Sequence, residues 1–222
     1  MMEIYEFSAI IAFLVMFLLW ALYEFRKIKN ELSKVQEKDK EHTRKISELE
    51  ALSTIDDLTG ILNRRGCMEV LGRLWSILSR HKHEENDFTV ILLDLCFFKM
   101  INDTYGHDVG DRVLRFFVSI LQTTLPRKSD TIARLGGDEF LIILPGSTME
   151  QAQKVEGMIH VAFMNTPFRL NGINLNIHVS AGIETARDPI SGIVRPLPET
   201  LRLADIAMYQ RKKEDHKILG RK

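Results

Sequence analysis

From Phe7 to Tyr23, 17 residues, the only polar side chain is Ser8. A helix of that composition is apolar on every face, so it cannot sit half in water as a surface helix does. Extended back to Ile4 the run admits Glu6 and reaches 20 residues. That is about 30 Å of helix, enough to cross a hydrocarbon core. No Lys or Arg precedes it and no A-x-A-type site follows, whereas Arg26, Lys27 and Lys29 come directly after. The pattern predicts an uncleaved transmembrane anchor over residues 1–24, with its C-terminal side in the cytoplasm. Trp20 and Tyr23 fit the interfacial belt.

A second pattern begins where the first stops. Phe25, Ile28, Leu32, Val35, Asp39, His42, Ile46, Leu49 and Ser53 alternate by three and four residues, with no Pro or Gly between them. This is an a/d register, and it predicts a parallel coiled-coil dimer over residues 25–53. Asp39 and His42 place polar groups in the middle of the seam, where they weaken it locally and help to set register.

From residue 54 the chain reads as one globular domain. Its 222 residues carry 30 Lys+Arg against 30 Asp+Glu, and this zero net charge argues against nucleic acid as a partner. Cys67 and Cys96 have neither paired nor metal-ligand spacing, which excludes a disulfide scaffold or a zinc module. Cys67 reads as a packing residue, and His81 and His83 as loop residues. Helical spacing is expected over Leu58–Leu78, interrupted at Gly66 and Gly72, and over Gly110–Leu125, Gln151–Asn165 and Glu199–Lys213. Phe88–Leu95 (FTVILLDL) predicts a buried strand, Ile132–Leu135 with Phe140–Leu144 a hairpin, and Leu175–Gly182 a strand that includes His178. Arg187–Pro198, holding three of the six prolines, is expected to be a surface excursion. Strands joined by long helices predict an α/β domain of two layers, with one sheet face covered.

The chemistry gathers in two segments. DLCFFKMINDTYGHDVGD (Asp94–Asp111) starts at a strand end, where open sheets expose functional carboxylates. RLGGDEF (Arg134–Phe140) places Asp138 and Glu139 at a glycine turn. Should the hairpin lie beside the strand, Asp94 and Asp138 converge, and a hard divalent cation carrying phosphate is the natural way to relieve their repulsion.

These segments, together with DDLTGILNRRG (Asp56–Gly66) and ADIAMYQRKK (Ala204–Lys213), occur in the order and spacing of GGDEF-type diguanylate cyclases. The resemblance covers roughly residues 54–217. It implies a fold of the α+β class: a palm-like nucleotidyl-cyclase domain with a mainly antiparallel central sheet and flanking helices. It also implies condensation of two GTP into cyclic di-GMP and two pyrophosphates, with Mg2+ or Mn2+ as cofactor; the predicted anchor places that activity at the inner (cytoplasmic) membrane.

Position by position, Asp94, Asp138 and the Leu95 carbonyl resemble the metal ligands. Asp138 also resembles the base for the 3′-hydroxyl, with Glu139 completing the acidic cluster. Lys99 and Lys212 resemble phosphate-binding lysines, Asn102 and Asp111 the guanine readers, and His107 a further substrate contact. Arg127 and Asp130 form an RxxD pair, which the resemblance makes an inhibitory product site. Each GTP is both nucleophile and electrophile, so one domain with one GTP cannot close the ring, and a homodimer is required.

Two departures stand out. The second acid of the family's D-x-D tract is Cys96, and a phosphate-holding arginine is replaced by His216. Loss of a bidentate donor predicts weaker GTP binding. The alternative expectation is a catalytically weak or inactive domain that serves as a membrane-bound receptor for cyclic di-GMP.

Overall fold

The computed structural model describes residues 2–80, 87–218 and 220, and within its first helix the side-chain surroundings of 16–41, 43 and 45. The chain divides into two units, Met1–Leu52 and Ser53–Lys222.

The first unit is one helix, α1 (Met2–Leu52), unbroken across the expected boundary between anchor and coil. Lys34–Glu31 at 3.0 Å and Lys45–Glu41 at 2.7 Å brace its polar stretch. Phe25, Ile28, Leu32 and Val35 are all exposed along the predicted seam. The side chains of residues 4–15 of the apolar run and of His42, Ile46 and Leu49 lie outside what is described, as do His81 and His83 altogether. Among the described residues no helix is long and apolar enough to cross a membrane.

The second unit is built on β1 (Phe88–Leu95), in which all eight residues are buried. β1 pairs antiparallel with β3 (Glu139–Pro145) and with β6 (Val179–Thr185), and β2 (Thr131–Gly136) completes a sheet of order β2-β3-β1-β6. Alternate side chains of a strand point to opposite faces. Phe88, Val90 and Leu92 pack with Cys67, Leu71 and Leu78 of α2 (Arg64–Arg80) and with Met208 of α6 (Leu197–Ile218). Ile91, Leu93 and Leu95 pack with Phe117 of α4 (His107–Thr124) and Val155 of α5 (Met149–Asn165). Both faces are therefore covered, which corrects the expectation of two layers. The continuous apolar run FTVILLDL is the physical reason, since it leaves neither face fit for water.

Other boundaries also move. The predicted helix from Leu58 starts only at Arg64, because Asn63 accepts the Gly66 N–H at 3.0 Å and caps it, and it then runs through Gly66 and Gly72 without a break. Residues 56–60 instead close a turn on Asp56. The predicted strand Leu175–Gly182 splits into β5 (Ile173–Leu175), which forms a hairpin with β4 (Phe168–Leu170), and β6, leaving His178 exposed between them. α3 (Phe98–Tyr105) is a helix that the spacing does not predict. α6 lies flush on the sheet because β6 offers it Gly182, where a Cβ would stand 2.1 Å from the Ala204 carbonyl oxygen.

Candidate active site

Asp94 is the penultimate residue of β1, is 4% exposed, and stands directly opposite Glu139 on β3 and Ser180 on β6. Directly paired residues share a sheet face with Cβ atoms about 5 Å apart. Glu139, Asp94 and Ser180 thus form a row across three strands, on the face covered by α6. The Leu95 N–H donates to the Asp138 carbonyl at 3.3 Å, bringing Asp138 to the same corner. Between β2 and β3 the chain reverses at Gly136 (φ 151°) and Gly137 (φ 53°), a conformation that favours glycine. The predicted convergence of strand end and glycine turn is present.

Lys212 of α6 donates to Asp94 Oδ2 at 2.7 Å, while Asp94 Oδ1 is buried without a hydrogen-bond partner. Burial pushes the Asp94 carboxyl above its ordinary range. Lys212 offsets part of that, and the negative charges of Asp138 and Glu139 add to it. Burial works against the Lys212 ammonium, but Asp94 and Asp138 hold its pKa above the usual lysine value. Among the described residues no group of three or more His, Cys, Asp or Glu gathers closely enough to hold a metal ion unaided. The residues nevertheless suit a hard cation that brings its own phosphate oxygens: one orphaned carboxylate oxygen, with two further carboxylates beside it.

The predicted purine contacts lie on α3 and α4. Asn102 is half-buried with Oδ1 unpartnered, and its amide packs directly against Gly110. Asp111, one residue further along α4, is half-buried. His107 and Lys99 are exposed, at the starts of α4 and α3. An amide oxygen and a carboxylate are the acceptors that guanine N1–H and N2–H require.

The RxxD pair is arranged differently from a simple ion pair. Asp130 Oδ2 accepts the Arg127 backbone N–H at 3.1 Å, while the guanidinium reaches Ser147 Oγ at 3.3 Å and the Pro145 carbonyl at 3.5 Å. Asp130 Oδ1 is buried and unpartnered, and burial raises its carboxyl pKa.

Two features escaped the sequence. Arg134 donates to both oxygens of Asp56 (3.1 and 3.2 Å) and, through Nε and Nη2, to the Gly137 carbonyl (3.0 and 2.8 Å), bracing the glycine turn from behind. Burial alone would raise the Asp56 pKa, but its bonds from Thr59 and Arg134 hold it below the ordinary range. Around Cys96, Sγ lies 3.1 Å from Ser180 Oγ, which donates to Asp215 Oδ2 at 2.7 Å. His216, in the position expected for an arginine, stacks on Phe97 with ring centroids 4.5 Å apart. Burial pushes the Cys96 thiol up, and the Cys67 thiol to about 11.

Comparison with known proteins matches residues 53–217 to the family described as diguanylate cyclase, GGDEF domain. This chain belongs to the GGDEF family. It is 36% identical over 173 residues to the probable diguanylate cyclase DgcC of Escherichia coli K12, covering 78% of this chain and 43% of that one. With diguanylate cyclase DgcP of Pseudomonas aeruginosa it shares 34% over 158 residues, 71% of this chain and 22% of the relative. The chain thus spans less than half the length of either. Among solved structures, diguanylate cyclase SiaD of Pseudomonas aeruginosa, in complex with its activator SiaC, superposes with TM-score 0.66 at 29% identity, covering 88% of this chain and 74% of that one. The coiled coil and GGDEF domain of DgcB from Caulobacter crescentus, in complex with c-di-GMP, shares the fold at TM-score 0.62 and 24% identity, covering 87% and 96%. The GGDEF fold, with its antiparallel sheet and flanking helices, is the expected one.

Proposed function

We propose that this GGDEF domain condenses two GTP into cyclic di-GMP, releasing two pyrophosphates, with two copies facing each other. The observation that carries the reading is the buried, unpartnered Asp94 Oδ1 beside Asp138 and Glu139, with Lys212 on the other oxygen. Burying a carboxylate oxygen without a partner costs free energy, and a site that binds cation and phosphate recovers it.

Asp94, Asp138 and the Leu95 carbonyl would hold Mg2+ or Mn2+, which when bound withdraws charge from the α-phosphate and lowers the pKa of the attacking 3′-hydroxyl. Asp138 takes the proton of that hydroxyl as its oxygen bonds to the α-phosphorus of the facing GTP and the bond to pyrophosphate breaks. Glu139 keeps the corner acidic. Lys212 leaves Asp94 for the phosphates, and Lys99, exposed at the start of α3, offsets the charge growing on them. Asn102 and Asp111 read guanine, with His107 at the rim. Arg127 and Asp130 serve as the inhibitory product site. Two apposed domains are needed for two phosphodiester bonds, and the exposed stripe Phe25–Val35 supports a coiled-coil homodimer that brings them together. The apolar run of residues 4–23, with the basic residues after it, supports a single-pass anchor in the cytoplasmic membrane with the GGDEF domain inside.

Incubation of the full chain with GTP and Mg2+, followed by mass spectrometry, tests the reading. Wild type is expected to form cyclic di-GMP, and Asp138→Ala is not. A folded dimer that makes none, yet binds cyclic di-GMP through Arg127, would instead establish the receptor.

A further inference from the structure

The end of α6 descends on the sheet through two contacts in register. Lys212 meets Asp94, and Asp215, three residues on and therefore on the same helix face, meets Ser180, the neighbour of Asp94 in the cross-strand row. Arg211 adds a contact to the other Asp215 oxygen at 3.5 Å. Ser180 is fully buried and Cys96 is 5% exposed, so water does not substitute for either partner.

The proton count here has one solution. A serine hydroxyl has a single proton and an ionised carboxylate only accepts. Ser180 gives its proton to Asp215, so the 3.1 Å contact with sulfur requires the Cys96 thiol as donor. The chain of donation runs Cys96 to Ser180 to Asp215, from the strand end to the helix that carries Lys212.

We propose that this relay seats Lys212, with Asp215 as its positioning residue, and that it obliges position 96 to carry an uncharged hydrogen-bond donor. The proposal rests on the reading of Lys212 as a phosphate-binding residue. The negative charge that the family's D-x-D tract would place at 96 is supplied here from α6, at 215. A carboxylate at 96 would face an oxygen whose proton is already committed, with Asp215 one hydroxyl away and Asp94 two residues back. Restoring the acid therefore damages this chain, and does so only while Asp215 keeps its charge.

A double-mutant cycle on the full chain tests this, read by calorimetric binding of a 3′-deoxy GTP analogue, which cannot be turned over, and by thermal melting. Cys96→Asp is expected to weaken binding about tenfold, as coupled groups in one network do. Cys96→Ser, which keeps a donor, stays within about twofold of wild type on the same grounds. Asp215→Asn keeps an accepting oxygen and binds nearly as wild type. Combined with Cys96→Asp it restores most of the loss, since Ser180 can then donate to the new carboxylate and accept from the amide. With GTP, the loss in Cys96→Asp falls on KM rather than kcat.

Binding by Cys96→Asp as tight as wild type, or no recovery in the double variant, overturns the proposal. Should Cys96→Asp fail to fold alone, its melting transition decides the matter: recovery by Asp215→Asn supports the relay, and no recovery overturns it. A wild type that binds the analogue but forms no cyclic di-GMP removes the proposed activity and leaves the coupling intact. Normal turnover without coupling removes only the relay.

Discussion

The two ends of β1 treat polar groups in opposite ways. At the Phe88 end, Arg195 and Arg187 each have carboxylates beside them. Arg195 donates to Glu184 at 2.7 Å and pairs with Asp188, Arg187 pairs with Asp87 at 3.4 Å, and the Trp75 indole closes on the Arg195 carbonyl at 2.9 Å. Thr89, buried, donates to the Ser147 carbonyl at 2.6 Å. At the Leu95 end three carboxylates crowd together, and Asp94 Oδ1, Asn102 Oδ1 and His216 Nε2 are buried without partners. One strand thus ends in polarity that holds the fold and, seven residues away, in polarity left open. An unpaired buried acceptor lowers stability, so such groups gathered beside three carboxylates favour a ligand at that end.

Breaking each end should therefore have a different signature. The largest effect is expected from Asp94→Asn, which should cut cyclic di-GMP formation about 10³-fold, as loss of an electrostatic group at a reacting phosphate does. Its melting temperature should stay close to wild type, because it relieves repulsion at the buried site. Assay and melting on one preparation check both, and a large fall in melting temperature would erase the contrast. Next, Arg195→Ala should destabilise the domain by about 2 kcal/mol, since it strands half-buried Glu184 and the Thr185 carbonyl. That corresponds to about 4–8 °C in melting temperature. Below that transition KM and kcat should be unchanged, and an activity loss on the scale of Asp94→Asn would join the two ends.

The smallest effect concerns the brace behind the glycine turn. The folded-state pKa of Asp56 is depressed. Its ionised form therefore adds stability that is complete above the ordinary carboxylate value of about 3.9 and is lost as pH falls through the lower folded value. Arg134→Ala removes part of what holds Asp56 down. Urea unfolding between about pH 5 and pH 3 should show a shallower loss of stability in that variant, by less than about 1 kcal/mol because Asp56 keeps its bonds from Thr59. An identical pH profile would assign the Asp56 depression to Thr59 alone.

How much of this is legible in the sequence varies with the range of the interaction. FTVILLDL announces its strand, and the spacing of Val113, Leu114, Phe117, Val118 and Leu121 announces α4, because burial writes itself into local periodicity. α3 does not, being eight residues squeezed between Phe97 in a left-handed conformation and Gly106. Apolar spacing misplaces the start of α2 because the Asn63 cap outweighs the apolar residues before it. In the site, Asp94, Asp138 and Lys212 are expected from motifs, and the geometry brings them to one corner. The Asp56–Arg134 brace joins residues 78 apart, and the Ser180–Asp215 contact joins residues 35 apart. Both depend on strand register and on how α6 crosses the sheet, which no local pattern encodes. Cys96 and His216 read as losses in the sequence, whereas in the fold one is a hydrogen-bond partner of Ser180 and the other stacks on Phe97.

The proposed cation–nucleotide site at the Leu95 end of β1 stands or falls on Asp94. Its most direct test is electron paramagnetic resonance of Mn2+ titrated into the full chain with the 3′-deoxy GTP analogue, for wild type, Asp94→Asn and Arg195→Ala. Wild type and Arg195→Ala are predicted to bind the ion with equal affinity in the presence of nucleotide, and Asp94→Asn to lose it. Equal Mn2+ binding by Asp94→Asn would place the cation away from this end of β1.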